Sequence, residues 1–148
     1  MEKIKIFILD DNENFLETVE DILVLSGYGV TTCSDASLAI AEILNAAPDV
    51  ILLDLKMRVK NGFQIADELR KLEETACIPI IAMTGYYSEK EHLNLVKSCG
   101  IKDYLIKPFE PLDIIAKIEL NFDECGEEDC LTNDDLSIFA EESQKVIL

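Results

Sequence analysis

Residues 48–55 read P-D-V-I-L-L-D-L, and residues 50–53 within them are four consecutive branched apolar side chains with no polar alternation. A strand carries this pattern when both its faces are covered, as in the middle of a parallel sheet packed by helices. The run stops at Asp54. A carboxylate at the exit of a buried central strand is costly unless it has partners. Open α/β sheets place their chemistry outside the carboxyl ends of the strands, so the rest of the chain matters for the neighbours it brings to Asp54.

On the N-terminal side, residues 3–9 (K-I-K-I-F-I-L) pass from alternation to a continuous apolar run, a first strand ending at Asp10-Asp11-Asn12. Phe15, Val19, Ile22 and Ser26, with Leu16 and Leu23 beside them, then recur at helical spacing until Gly27 and Gly29. A short β-branched strand at 30–33 precedes an alanine-rich helix over 35–46, with Leu38, Ala41 and either Ile43 or Leu44 facing inward; Pro48 closes it.

Beyond Asp54, the polar residues 56–61 lead to an Asn61-Gly62 turn, and Phe63, Ala66 and Leu69 or Arg70 outline a third helix. A fourth strand over 78–83 ends at Thr84-Gly85. Ser88 with Glu91 three residues on has the capping-box pattern and opens a fourth helix over 88–98, with a weak apolar face. Residues 104–106 form a last strand, stopped by Lys107-Pro108, and Leu112, Ile115 and Ile118, with Ile114 adjacent, predict a fifth helix.

Strand and helix thus alternate five times in about 120 residues, which implies parallel pairing and right-handed crossovers. The expected fold is α/β: a doubly wound, five-stranded parallel sheet in a three-layer (βα)5 sandwich, flavodoxin-like, with strand order 2-1-3-4-5. Residues 1–121 make one domain. Residues 122–148 read as an acidic linker plus an extra C-terminal helix, capped at Asn133 or Asp134 and too short to be stable alone. Whether that helix packs back, pairs with another chain or leads to a further part is left open by its pattern.

Composition narrows the function. A formal charge of −17, from 30 acidic and 13 basic residues, argues against nucleic acid or an anionic membrane as a direct partner. No apolar run approaches the roughly 20 residues needed to span a bilayer, and the N-terminus lacks a signal-peptide pattern. The 5 cysteines are odd in number and widely spaced, matching neither a disulfide framework nor a zinc site. Cys33 and Cys77 are expected as small hydrophobes and Cys125 and Cys130 as surface thiols, in a reducing, cytoplasmic compartment. His92, the single histidine, is expected on the surface.

The chemistry lies at the strand exits: Asp10 and Asp11 after the first, Asp54 after the third, Thr84 after the fourth and Lys107 after the fifth. With strands one and three adjacent, the three aspartates converge. Carboxylates about 4 Å apart repel by a few kcal/mol, and oxygen-only ligands suit a hard cation, Mg²⁺. An open Mg²⁺ beside a carboxylate oxygen, a hydroxyl and a lysine is a phosphoryl site in which the carboxylate attacks in line. Taken singly these residues are ordinary: an Asp or Thr at a strand end commonly caps a helix, and a Lys before Pro is commonly surface. Four strand exits of one sheet that all carry them are not.

The chain resembles the receiver domains of two-component response regulators, including the single-domain chemotaxis regulator. The matching residues are D10-D11, D54 in L-L-D-L-K-M, N61-G62, T84 in I-A-M-T-G, and K107-P108-F109 in D-Y-L-I-K-P-F, within one register over residues 3–120. The resemblance implies that Asp54 accepts a phosphoryl group from a histidine kinase or phosphotransfer protein. It implies that Asp11, Asp54 and the carbonyl of Lys56 ligate Mg²⁺, with Asp10 holding a metal-bound water. Thr84 would move inward to the phosphoryl oxygen, and Lys107 would pair with Asp54 before phosphorylation and with the phosphoryl group after it. Tyr104 would be the switch aromatic. The output would be a reshaped face of fourth helix, fifth strand and fifth helix, acting on a downstream protein, a missing output domain or a second copy. Catalysis would be limited to self-phosphorylation and self-dephosphorylation.

Some positions depart from the family. Met57 is followed by Arg58 rather than proline, Asn61 replaces the usual Asp, and Gly85 stands where Ala is usual. Lys56 and Tyr86 occupy the positions two residues after Asp54 and Thr84, and their size predicts slow loss of the phosphoryl group. Three alternatives stand beside this reading. A metal-dependent phosphohydrolase would use Asp10 as nucleophile, but Asn12 stands where such enzymes usually carry a second acid. A flavin carrier would set its phosphate against the aspartates, and a scaffold would not need phosphorylation.

Overall fold

The computed structural model describes residues 3–85 and 100–124. Five parallel strands, β1 (Lys5–Leu9), β2 (Gly29–Cys33), β3 (Val50–Asp54), β4 (Ile80–Thr84) and β5 (Asp103–Ile106), form one sheet in the order β2-β1-β3-β4-β5. Helices α1 (Glu13–Leu25), α2 (Ala39–Ala46) and α3 (Gly62–Lys71) follow the first three strands, and a last helix spans Pro111–Glu124. This is the expected doubly wound sandwich. The expected fourth helix at 88–98, including Tyr86 just before it and His92 within it, lies outside the described residues, as do Cys125, Cys130 and the expected C-terminal helix.

The apolar run of β3 works as its pattern requires, because period-2 alternation sends its side chains to two cores. Phe7, Leu9, Ile51 and Leu53 pack on one side of the sheet with Ala39 and Ile43 of α2 and Ile65 and Leu69 of α3. Ile6, Ile8, Val50 and Leu52 pack on the other with Leu16, Val19 and Leu23 of α1 and Ile114 and Ile118 of the last helix. All of β3 is buried, Asp54 included.

Local signals set the ends of the helices. The Asn12 side chain accepts from Phe15 N–H at the start of α1, and Asp35 accepts from Ser37 N–H at the start of a single 3-10 turn that leads into α2. Asn61 is more than a turn residue. It caps α3 and forms a reciprocal box with Gln64, each side chain accepting from the other's backbone N–H at 3.0 Å. Gly27 and Gly100 adopt positive φ at 96° and 77°, where a side chain would be strained.

Four expectations about the helices are corrected. In α1 the buried stripe is Leu16, Val19 and Leu23, one position round from the Phe15–Ile22 stripe. Before and within α2 it is Ala36, Ala39 and Ile43, the last being one of the two alternatives expected, while Leu38, Ala41 and Leu44 are exposed. In α3 Ile65 joins Ala66 and Leu69 in the core. In the last helix Ile114 and Ile118 face in and Leu112 is exposed. That helix also continues to Glu124, through residues whose acidity reads as loop. Asn121 is buried there because its amide donates to Asp103 Oδ2 at 3.2 Å and to the Lys117 carbonyl at 2.8 Å. The thiols divide as well: Cys33 is buried and free, whereas Cys77 is disulfide-bonded rather than an apolar thiol.

Candidate functional site

Strand register builds the site. Leu9 of β1 lies opposite Leu53 of β3, so the residues that follow them, Asp10 and Asp54, come out side by side. Both continue the pleat side of Ile8 and Leu52, toward α1 and the last helix. Asp10, Asp11 and Asp54 bring one carboxylate oxygen each within 4.8 Å of one another. Asp10 and Asp54 are buried, and Asp11 is exposed at the rim.

At such a separation two ionised carboxylates repel by about 3–4 kcal/mol for an effective dielectric near 20, and the surrounding groups answer this charge. Lys107 Nζ donates to Asp10 Oδ2 at 2.5 Å and lies 3.9 Å from Asp54 Oδ1. Asp10 Oδ1 also accepts from Asn12 N–H at 2.9 Å. Asp54 Oδ1 accepts from Lys56 N–H at 3.3 Å. Burial, together with the charge of Asp10, pushes the Asp54 carboxyl up to about 6; Lys107 and the Lys56 N–H pull the other way. With these neighbours Asp54 ionises late for an aspartate.

Lys107 is held in place by its surroundings. Its backbone N–H donates to the Thr84 carbonyl at 2.7 Å, tying the exits of β4 and β5. Its ammonium lies 4.0 Å from the centroid of the Phe15 ring, which meets Phe109 edge-on at 5.8 Å. The Lys107-Pro108 peptide is cis. The expected pairing of Lys107 with Asp54 is thus a secondary contact, and Asp10 is the principal partner.

Thr84 is buried at the end of β4, and Tyr104 is half-buried on β5. Alternation puts them on the pleat side opposite Asp10 and Asp54, with Ala82 paired to Tyr104 and Thr84 to Ile106. Lys56 is exposed next to Asp54. Three aspartates and Lys107 are therefore brought together, Lys56 is adjacent through its backbone, and Thr84 and Tyr104 flank the group.

Other contributors carry no site signal in the sequence. Phe15 reads as helix stripe yet lies against the lysine. Arg58 approaches Asp11, with Nε 4.0 Å from Oδ2. Gly62 allows α3 to start against the β3 exit: a Cβ there would meet the Asp54 carbonyl oxygen at 2.5 Å and Leu55 Cα at 2.8 Å. Among these, the Asn-Gly pair is visible from sequence as a turn and as part of the family resemblance, and Arg58 as a departure from the family's proline.

Comparison with known proteins decides the family. The family model described as "Response regulator receiver domain" matches residues 6–119. The chain belongs to the response regulator receiver domain family. This receiver domain is a phosphoacceptor switch of two-component signalling. It is 33% identical over 114 residues to the transcriptional regulatory protein CpxR of Klebsiella pneumoniae, covering 77% of this chain and 47% of CpxR. It is 30% identical over 118 residues to the probable transcriptional regulator ycf27 of Porphyridium aerugineum, covering 80% and 48%. The chain thus spans about half the length of these curated relatives.

Among solved structures, the chemotaxis protein CheY4 of Vibrio cholerae superposes with a TM-score of 0.77 at 28% identity, over 80% of this chain and 98% of CheY4. The receiver domain of sensor histidine kinase PA1611 from Pseudomonas aeruginosa, solved with a magnesium ion in its active site cleft, superposes at 0.75 with 27% identity, over 82% and 99%. No helix among the described residues is long and apolar enough to cross a membrane.

Proposed function

We propose that Asp54 is the phosphoacceptor of this receiver domain, taking its group from a histidine kinase or a phosphotransfer protein. The observation that carries the assignment is the position of Lys107, bonded to Asp10 at 2.5 Å and 3.9 Å from Asp54. The cation screens the Asp54 carboxylate without closing it off, which leaves an oxygen for attack. Asp10 is disfavoured as a nucleophile, and with it a phosphohydrolase, because Asp10 is buried and both its oxygens are engaged.

In the transfer, an Asp54 oxygen forms a new O–P bond as the P–N bond to the donor imidazole breaks. The electron pair leaves with the imidazole nitrogen, which then takes up a proton. The all-oxygen donor set fits Mg²⁺: Asp10, Asp11 and Asp54 would hold it, Asp10 through a water, with the Lys56 carbonyl completing the protein ligands. When bound, the ion offsets the negative charge of the group in flight. Lys107 then turns from Asp10 to the phosphoryl oxygens, and the Thr84 hydroxyl donates to another.

Phosphorylation adds between one and two negative charges at one end of the sheet. As Thr84 moves inward, Tyr104, on the same pleat side, moves with it and reshapes the surface around β5. The modification must favour the reshaped state over the resting one, since equal affinity would shift nothing. That surface would engage a downstream protein, an output domain or a second copy of the chain. A cytoplasmic location goes with this reading.

The test is incorporation of phosphate from acetyl phosphate with Mg²⁺. Asp54→Ala should abolish labelling while leaving the circular dichroism spectrum unchanged. Labelling of a folded Asp54→Ala protein at the wild-type level would remove the assignment.

A further inference from the structure

We infer that Arg58 is a built-in competitor for the metal pocket: it holds Asp11 while the pocket is metal-free and so sets the divalent-cation affinity below what the three carboxylates alone would give. The inference rests on the receiver reading above, because it concerns the same pocket.

Each carboxylate of the cluster has its own partners. Asp10 has Lys107 and the Asn12 N–H, and Asp54 has the Lys56 N–H with Lys107 further off. Asp11 faces Arg58, whose Nε lies 4.0 Å from its Oδ2. The arginine side chain is 94% exposed and the Asp11 side chain 31%, so nothing in the core fixes this contact. The guanidinium thus stands beside the exposed member of the three-carboxylate cluster.

The loop carrying it is unusual for so acidic a chain. Residues 56–60 read K-M-R-V-K, three cations in a protein of net charge −17. They are not equivalent. Lys60 is drawn away from the pocket by Glu68, at 2.5 Å. Arg58 is turned toward Asp11.

As a contribution to folding, a pair this exposed is weak. Toward a divalent ion the same charge counts twice: the guanidinium must give up Asp11, and afterwards it repels a doubly charged neighbour. At low ionic strength this corresponds to about a three- to tenfold change in dissociation constant. A structural role for Arg58 predicts the opposite sign, since loosening the loop would weaken binding.

The experiment titrates Mn²⁺ into the whole protein at low ionic strength and follows the electron paramagnetic resonance signal of the free ion. Arg58→Gln should bind Mn²⁺ about three- to tenfold more tightly than wild type. Arg58→Lys, which keeps a cation, and Lys60→Gln, which removes one turned elsewhere, should both stay within about twofold of wild type. Unchanged or weaker binding by Arg58→Gln overturns the inference while the receiver reading stands. Equal tightening by Lys60→Gln overturns it too, by showing that loop charge in general is responsible. Absence of Mn²⁺ binding by wild type and variants alike overturns both readings.

Discussion

The ammonium of Lys107 and the carboxylate of Asp10 form a hydrogen-bonded ion pair of 2.5 Å that joins the ends of β5 and β1 across 97 residues of chain. Asp10 is 1% exposed, so water reaches it little and this partner lies against it in the interior. Removing one member of a buried pair leaves the other uncompensated, at a cost of several kcal/mol when burial is complete. Lys107 is partly exposed, and we expect Lys107→Met to lose about 2–3 kcal/mol in urea denaturation at pH 7.5 with EDTA. Saturating Mg²⁺ should return much of it. A loss below about 0.5 kcal/mol would mean that the pair carries little of the charge balance.

Asp54 gives the site a pH dependence whose sign is fixed by its carboxyl standing at about 6, above the usual carboxylate value, through burial and the charge of Asp10. A raised folded-state value means stability fully present below the unfolded value, about 4, and lost as pH rises through about 6. The metal-free protein should therefore be strained at neutral pH by the ionised Asp54, by up to about 3 kcal/mol. Asp54→Asn should be the more stable protein at pH 7.5 with EDTA. The gap should narrow toward pH 4.5, and Mg²⁺ at pH 7.5 should narrow it from the other side. Urea titrations of both proteins at three pH values check this; a gap that does not change with pH contradicts it.

Gly62 stands where α3 begins against β3. The atoms a Cβ would meet, the Asp54 carbonyl oxygen at 2.5 Å and Leu55 Cα at 2.8 Å, are backbone and cannot swing aside. Gly62→Ala should cost about 2 kcal/mol or more, of the order seen for overpacking. Because the strain falls on Asp54 itself, the variant should also accept phosphate from acetyl phosphate more slowly. Wild-type stability and labelling together would show that the loop absorbs the methyl group freely.

Lys56 is exposed, two residues beyond the strand that ends in Asp54. A long side chain there can screen water from the acyl phosphate, so the phosphorylated protein should lose its group slowly. Lys56→Asn should shorten the half-life severalfold, with stability unchanged because the side chain is exposed. Pulse labelling followed by chase at pH 7.5 measures it; equal half-lives would assign the lifetime to other groups.

Much of this molecule is legible in its sequence because two patterns are strong. A continuous apolar run such as residues 50–53 satisfies only a strand covered on both faces, and β3 is buried throughout between two cores. Polar residues that interrupt such runs fall at strand exits, so Asp10, Asp54, Thr84 and Lys107 could be placed on one edge before any coordinates. Helix faces are less legible. The apolar stripe of a helix is wide enough to admit either of two adjacent residues, and around α2 spacing alone favoured Leu38 and Ala41 and left Ile43 or Leu44 open. The sheet selected Ala36, Ala39 and Ile43, since small residues let a helix approach closely.

By itself, then, the sequence determined the alternation of strand and helix that makes a parallel sheet, and the residue types along its reactive edge, because these follow from periodicity and from the cost of burying charge; the strand order came from the usual doubly wound arrangement of five strands, which the sheet adopts. Tertiary structure alone decided which charge meets which: Lys107 on Asp10 before Asp54, Arg58 over Asp11, Phe15 beneath the lysine and Asn121 in the core beside Asp103. Partner choice among charges turns on differences of an ångström or so in separation. Such differences are set by how the helices settle on the sheet, and no linear spacing encodes them.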